Sequence, residues 1–308
     1  MIDTIAPAAA PVTRKAARPP RGGGPGRSVP FFVVPFGVLF LLFYLLPIGY
    51  AIVQSLYVVR RTGTFGPATE VFGGLTQYRQ VFADGPFWQS VLRVFAFGVV
   101  QVPIMLGLAL VLALLLDSGL VTGKRFFRLA FFVPYAIPGV VAAIMWGFLY
   151  SPSLSPLKPV TSAVDLLSAD LVLWSMANVV TWVYVGYNML IIYSALLAIP
   201  AEVYEAARLD GAGQFRIAWS IKIPLVMPAL VLTTVFSIIG TLQLLAEPQV
   251  FRSFSSAVTS TYTPNLTVYS TSSIPNFHLA AAFSVVLALT TFVLSFAFLR
   301  VTQRRGAL

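Results

Sequence analysis

Apolar residues in this chain come in long blocks, separated by short polar interludes. Six stretches contain no Asp, Glu, Lys or Arg: Phe31–Val59, Val94–Leu116, Leu129–Leu157, Leu171–Ala201, Ile223–Ala246 and Leu279–Leu299. Each exceeds the roughly 20 residues an α-helix needs to cross a bilayer. A membrane β-barrel would instead show alternating segments of about 10 residues, which this pattern does not resemble. The blocks therefore predict an all-α integral membrane protein with six transmembrane helices. They divide the chain into a basic tail at 1–30, a six-helix domain at 31–300 and a short tail at 301–308. The first tail is rich in Pro, Gly, Ala and Arg and is expected to be disordered. A basic start before an apolar run imitates a secretory signal, but this run is too long and reads as an uncleaved first helix.

Composition agrees with the pattern. Of 308 residues, 58% are hydrophobic and 10% charged, with a mean hydropathy of +0.86, whereas soluble domains carry about 25% charged residues. The net charge of +10 would suit a nucleic-acid binder if the bases were clustered on one surface. They are instead distributed by topology. Arg14, Lys15, Arg18, Arg21, Arg27, Lys124, Arg125, Arg128, Arg208, Arg216, Lys222, Arg300, Arg304 and Arg305 fall on one side of the alternating loops. Arg60, Arg61, Arg79, Arg93, Lys158 and Arg252 fall on the other. Fourteen against six fits the positive-inside bias, places both termini in the cytoplasm and removes the case for nucleic acid. The absence of cysteine rules out disulfides and thiolate metal sites.

Signs of enzymatic chemistry are sparse. His278 is the sole histidine and is expected to sit at the interface, at the edge of the sixth helix, without a second metal ligand. "GLVTGKR" and "GGGPGRS" both fail the G-x-x-x-x-G-K-[ST] pattern, so no Walker loop is present. The six runs contain no full charge, which disfavours proton relays and voltage sensing. Sodium coupling through backbone carbonyls stays open; if the protein moves a solute uphill, the energy is expected to enter from outside the spans. Pro47 and Gly49 predict a kink in the first helix, and Pro134, Pro138 and Gly139 loosen the third. In the external segment from Arg60 to Ser90, Tyr78, Phe82, Phe87 and Trp88 suit interface anchoring or solute contact.

The interlude "EAARLDGAGQFRIAWSIKIP", from Glu205 to Pro224, stands out. Pro200 and Glu202 suit the start of a short helix, and Gly211 and Gly213 permit a sharp turn before a second short helix. Such a helix-turn-helix either rests on the membrane surface or presents a small, acidic face to another protein. The segment resembles the EAA loop of bacterial ABC importer permeases, whose pattern is E-A-A-x-x-x-G followed nine residues later by I-x-L-P. Glu205-Ala206-Ala207, Asp210-Gly211-Ala212 and Ile221-x-Ile223-Pro224 match it in order and spacing, with Ala218 and Ile223 as departures. "GGLTQYRQVFADGPFWQSVLR", "PYAIPGVVAAIMWGFLYSP" and "YTPNLTVYSTSSIPNFHLAAAFSVV" are similar to the maltose-type carbohydrate-uptake group. Leu245-Ala246 stand where that group often has Phe-Asn.

This resemblance implies a type I ABC importer permease in the bacterial inner membrane, not itself a catalyst. It implies a second permease subunit as a heterodimer partner, two ATPase subunits and an extracytoplasmic binding protein that delivers a sugar. The chain would need no cofactor, with ATP and Mg bound by the ATPase. Residues 201–224 would form the coupling loop, with Glu205, Ala206, Ala207, Asp210, Gly211, Ala212, Ile221 and Pro224 at the ATPase. Sugar hydroxyls need hydrogen-bond partners and their C–H faces stack on aromatics. The fourth helix offers Asn178, Thr181, Tyr184 and Asn188 on one face, with Trp182 and Tyr187 nearby, and the fifth offers Thr234, Ser237 and Thr241. These side chains line a substrate path or act as hydrogen-bonded contacts between helices. Rival readings are a same-architecture permease for a solute such as glycerol phosphate, a stand-alone secondary transporter and a membrane scaffold.

Overall fold

The computed structural model describes residues 28–304 except 62, 64–65, 120, 157 and 273–275. Most of the expected N-terminal tail and residues 305–308 of the C-terminal tail lie outside the described residues. The chain divides into two units, Met1–Gly49 and Tyr50–Leu308. In the first, α1 (Ser28–Phe40) runs through a π-helical turn at Leu41–Leu45 into α2 (Leu46–Gln54). The kink expected at Pro47 takes a specific form. Leu46 N–H donates to the Leu41 carbonyl, five residues back. The proline ring clashes with the carbonyl four residues before it and offers no N–H, so the ladder slips by one residue and its groups stay paired.

In the second unit, the segment between the first two spans is an ordered cap. Strands β1 (Tyr57–Arg61) and β2 (Ala68–Phe72) form an antiparallel hairpin with Tyr57 opposite Phe72, followed by α3 (Thr76–Ala83). Asp84 then caps α4 (Gly85–Asp117) by accepting a bond from Phe87 N–H at 2.8 Å. His278 packs against this cap. Its ring is 2% exposed, its Nδ1 lies 3.1 Å from the Gln54 carbonyl oxygen and its Nε2 lies 3.4 Å from Glu70.

The third span is not one straight helix. α5 (Lys124–Ala136) and α6 (Gly139–Tyr150) meet at 95°. Pro138 cannot continue α5 and disfavours helical backbone at Ile137; Ile137 is extended at ψ 129°. α7 (Lys158–Thr161) leads to α8 (Val172–Leu197), the central helix of the bundle. One half of α8 places Val172, Met176 and Val179 against Phe97, Ala142 and Phe251. The other half sets Met189, Ile192 and Leu196 against Ala109 and Ala113 of α4. Small residues four apart let two membrane helices approach closely.

Beyond α9 (Ala201–Leu209) and α10 (Gln214–Ile217), a second π-helical turn spans Ala218–Lys222 before α11 (Ile223–Leu225). It repeats the first device, because Ile223 N–H bonds the Ala218 carbonyl just ahead of Pro224. α12 (Met227–Leu242), α13 (Ala246–Phe251), α14 (Pro264–Ser272) and α15 (Phe277–Arg304) complete the described residues. Among the described residues, five helical segments are long and apolar enough to cross a membrane, and the bent α5–α6 pair makes up to six.

The expectation of charge-free spans needs correction: besides bases at the span ends, such as Arg128 in α5 and Arg300 in α15, three charged residues fall within helical segments that cross its boundaries. α4 includes Arg93 and Asp117, and the apolar segment Met227–Phe251 includes Glu247. Helices run past these charges because the first two have partners elsewhere in the fold. Arg93 donates to the Tyr262 carbonyl at 2.8 Å and sits 4.4 Å from the centre of its ring, while Asp117 pairs with Lys222. Tyr262 lies outside the spans, and burial raises its hydroxyl pKa against the lowering effect of Arg93.

Gly186 fixes how α8 crosses α5. A Cβ at this position would run into the backbone carbonyl of Phe131. Gly186→Ala is expected to cost about 3 kcal/mol, read as a fall in thermal stability of the detergent-solubilised protein, while Ala195→Gly stays within about 1 kcal/mol.

Candidate functional site

Two sets of residues carry the chemistry anticipated from the sequence. The first is the α9 turn. Pro200 sits at the N-cap, Glu202 lies in the first turn and Arg208 in the last, each sign matching the helix dipole. The helix ends in a Schellman motif. Ala212 N–H donates to the Ala207 carbonyl at 2.9 Å and Gly211 N–H to the Arg208 carbonyl at 3.0 Å. Gly211 adopts φ 76°, the left-handed conformation this closure requires and other residues resist. The glycine in the E-A-A-x-x-x-G spacing therefore has a backbone cause.

Ala207 and Ile217 face inward, while Glu205, Ala206, Asp210, Gly211 and Pro224 are exposed. Ala212 and Ile221 are half-buried. Leu209 and Phe215 are 89% and 82% exposed, and the Phe215 ring stacks with Trp219 at 6.5 Å. The outward surface is thus acidic and apolar together. On the inner side, Lys222 Nζ lies 2.5 Å from Asp117 Oδ2 and 5.0 Å from the Tyr204 ring centre.

The second set surrounds the break between α5 and α6. Tyr135 stacks on Tyr187 at 4.5 Å and meets Tyr184 edge-on at 5.8 Å. Trp182 packs edge-on against Trp146 at 5.8 Å. Asn178 donates to the Tyr150 hydroxyl at 2.7 Å, and Gln101 Nε2 donates to the Thr181 hydroxyl at 3.2 Å. Asn178 and Tyr184 are exposed and Thr181, Trp182 and Tyr187 are half-buried. Asn188 is set apart from this exposed face. It is 3% exposed, and its amide reaches the Tyr184 carbonyl at 3.0 Å and the Met105 sulfur at 3.8 Å.

The stripe on α12 is not gathered to the same place. Thr234 and Thr241 line an apolar groove of about 340 Å³ between α4, α12 and α15. Thr234 bonds its own helix at the Leu230 carbonyl, 2.6 Å away, and Ser237 is half-buried on the same helix. Sequence reading missed Tyr135, Trp146, Tyr150, Gln101 and Glu247, all brought to α8 from other elements. The available signal was the Pro-Tyr-Ala-Ile-Pro-Gly break, which a proline rule marks as a turn inside a span.

Glu247 adds the charge. It is 7% exposed, and its Oε1 lies 3.9 Å from the Cβ position of Gly139, the first residue of α6. No lysine, arginine or histidine among the described residues forms an ion pair with it. The group beside it is the N-terminal end of α6, the positive end of that helix's dipole.

Residues 105–305 match the family described as binding-protein-dependent transport system inner membrane component. The chain belongs to this family. The lactose transport system permease protein LacF of Rhizobium radiobacter is 32% identical over 277 residues, covering 86% of this chain and 90% of its own. The sn-glycerol-3-phosphate transport system permease protein UgpA of Agrobacterium fabrum is 30% identical over 227 residues, with 70% and 76% covered. A crystal structure of a bacterial ABC transporter that imports the acidic polysaccharide alginate contains a chain of the same fold. It has a TM-score of 0.71 at 16% identity, covering 89% of this chain and 94% of that one. As an inner membrane component, this protein is a transport subunit of the plasma membrane, with the type I ABC importer permease fold.

The Schellman closure gives one direct test on this inner membrane component. Gly211→Ala forces a Cβ into the left-handed region at about 1 kcal/mol, so trypsin should cut at Arg208 or Arg216 roughly fivefold faster in membrane vesicles. Gly213→Ala, at φ −70°, should leave the rate unchanged.

Proposed function

We propose that this chain is one of two permease subunits of an ATP-driven importer and forms part of the path for a neutral sugar or oligosaccharide. An extracytoplasmic binding protein delivers the solute, and two ATPase subunits bind ATP and Mg on the cytoplasmic side. The termini and the α9 turn face that side, as the distribution of basic residues supports. Glu205, Ala206, Asp210 and Gly211 meet the ATPase, backed by the buried Ala207. The partner permease is a similar second chain, so the pair is a heterodimer. Closure of the ATPases by ATP favours the outward-facing arrangement because nucleotide binds that arrangement more tightly.

The observation that carries the sugar reading is the aromatic and amide surface of Asn178, Tyr184, Tyr187 and Tyr135 beside the α5–α6 break. It offers stacking faces and neutral hydrogen-bond partners, which suit a polyhydroxyl ring. The names of the relatives support sugars and an organic phosphate alike. Glu247 favours the neutral solute. The positive end of a broken helix is where transporters hold an anionic group of the solute, and here the chain's own carboxylate stands beside it. An incoming phosphate would meet like charge.

The test is uptake by cells carrying the complete complex, using radiolabelled lactose, a panel of neutral oligosaccharides and sn-glycerol 3-phosphate. A neutral sugar should accumulate and glycerol phosphate should not. Glu205→Lys should lower sugar uptake at least tenfold (about 1.4 kcal/mol of coupling or more) and reduce the ATPase recovered by pull-down. Preferential accumulation of glycerol phosphate would overturn the neutral-solute reading, and uptake without the ATPase would overturn the importer reading.

A further inference from the structure

Asp117 is the last residue of α4, where the helix dipole disfavours a carboxylate. It is stable there because of a residue far away in the sequence. Lys222 lies 105 positions on, and the two side chains, 12% and 9% exposed, meet at 2.5 Å. Among the described residues this is the sole ion pair between a lysine or arginine and a carboxylate. The Tyr204 ring of α9 covers Nζ at 5.0 Å, and its hydroxyl is buried without a hydrogen-bond partner. Burial, then the Asp117 charge, raises the pKa of that hydroxyl. With Ser118, Arg208 and Gln214 these groups wall a cavity of about 180 Å³.

The connectivity gives this pair its significance. The α9 turn is joined by the chain itself to α8 on one side and to α12 on the other, but not to α4. A contact with little water around it is stronger than a surface pair, and removing one partner leaves the other charge buried and unpaired. Lys222 is also the last residue of the π-helical turn ahead of Pro224, so its position is set by the backbone register of the loop. α4 is a single helix of 33 residues, about 50 Å long at 1.5 Å per residue.

We propose that Asp117 and Lys222 form a strut that makes the coupling loop and α4 move as one body. Displacement of the loop by its motor then reaches the far end of α4 as well as α8 and α12. This rests on the reading of α9 as the ATPase-docking element. Both are positioning residues and touch no solute.

The chain has no cysteine, so Leu92→Cys near the start of α4 and Phe215→Cys on the loop can carry the only two spin labels. The remaining subunits are made cysteine-free and the whole complex is placed in nanodiscs. With the native pair, the distance between labels should be the same without nucleotide and with MgATP plus vanadate. Asp117→Asn or Lys222→Gln should introduce a nucleotide-dependent shift of about 2 Å or more. The exchange Asp117→Lys with Lys222→Asp, which also suits the α4 dipole, should abolish the shift again. Equal responses in all forms, or an exchange that fails to restore the native response, would overturn the strut. Failure of the docking reading is detected separately, as ATPase pull-down that survives Glu205→Lys.

Discussion

A helix in hydrocarbon cannot leave its backbone polar groups unpaired, and prolines interrupt this chain repeatedly inside or beside its spans. The way each interruption is resolved shapes the molecule. At Pro47 and Pro224 the ladder slips by one residue, and the residue before each proline bonds a carbonyl five positions back. At Pro138 no slip occurs. The helix ends, turns by 95° and restarts at Gly139. Pro47 and Pro224 are absorbed by a slip of the ladder, Pro35, Pro103 and Pro134 sit inside α-helix without one, and Pro138 starts a new helix.

That free start organises the residues around it. Glu247 brings a carboxyl group close to the first residue of α6. The same break directs Tyr135, at the end of α5, onto Tyr184 and Tyr187 of α8. An aromatic surface, an amide and a buried acid are gathered from four segments because one backbone could not continue straight. The α9 turn follows the same logic on a smaller scale. Gly211 allows the helix to close on its own carbonyls, leaving Glu205, Ala206 and Leu209 outward.

The amount legible from sequence follows from how local each cause is. The spans were legible because twenty apolar residues have few alternatives, and Gly211 was legible because a Schellman closure is decided within six residues. The ends of the spans were not. Arg93 and Asp117 read as boundaries, yet both lie inside α4, since Tyr262 and Lys222 satisfy them from 169 and 105 residues away. The polar face of α8 was recognisable by its spacing, but its orientation was hidden. That rotation is set where Gly186 meets the Phe131 backbone, and it turns Asn188 toward α4 while leaving Asn178 and Tyr184 exposed. The α12 threonines line a different groove, between α4, α12 and α15, a distinction that periodicity does not contain.

The charges that interrupt the apolar pattern therefore divide into two physical kinds. Arg93 and Asp117 are each matched by a partner from a distant segment, so each holds two parts of the fold in register. Glu247 has no ion-pair partner among the described residues and stands beside the start of α6, whose dipole amounts to roughly half an elementary charge. A carboxylate in that condition gains more from a hydroxyl or cationic group than a paired one does, and it repels a second anion. The difference between a structural charge and one available to a solute thus lies in how completely the fold has already answered it.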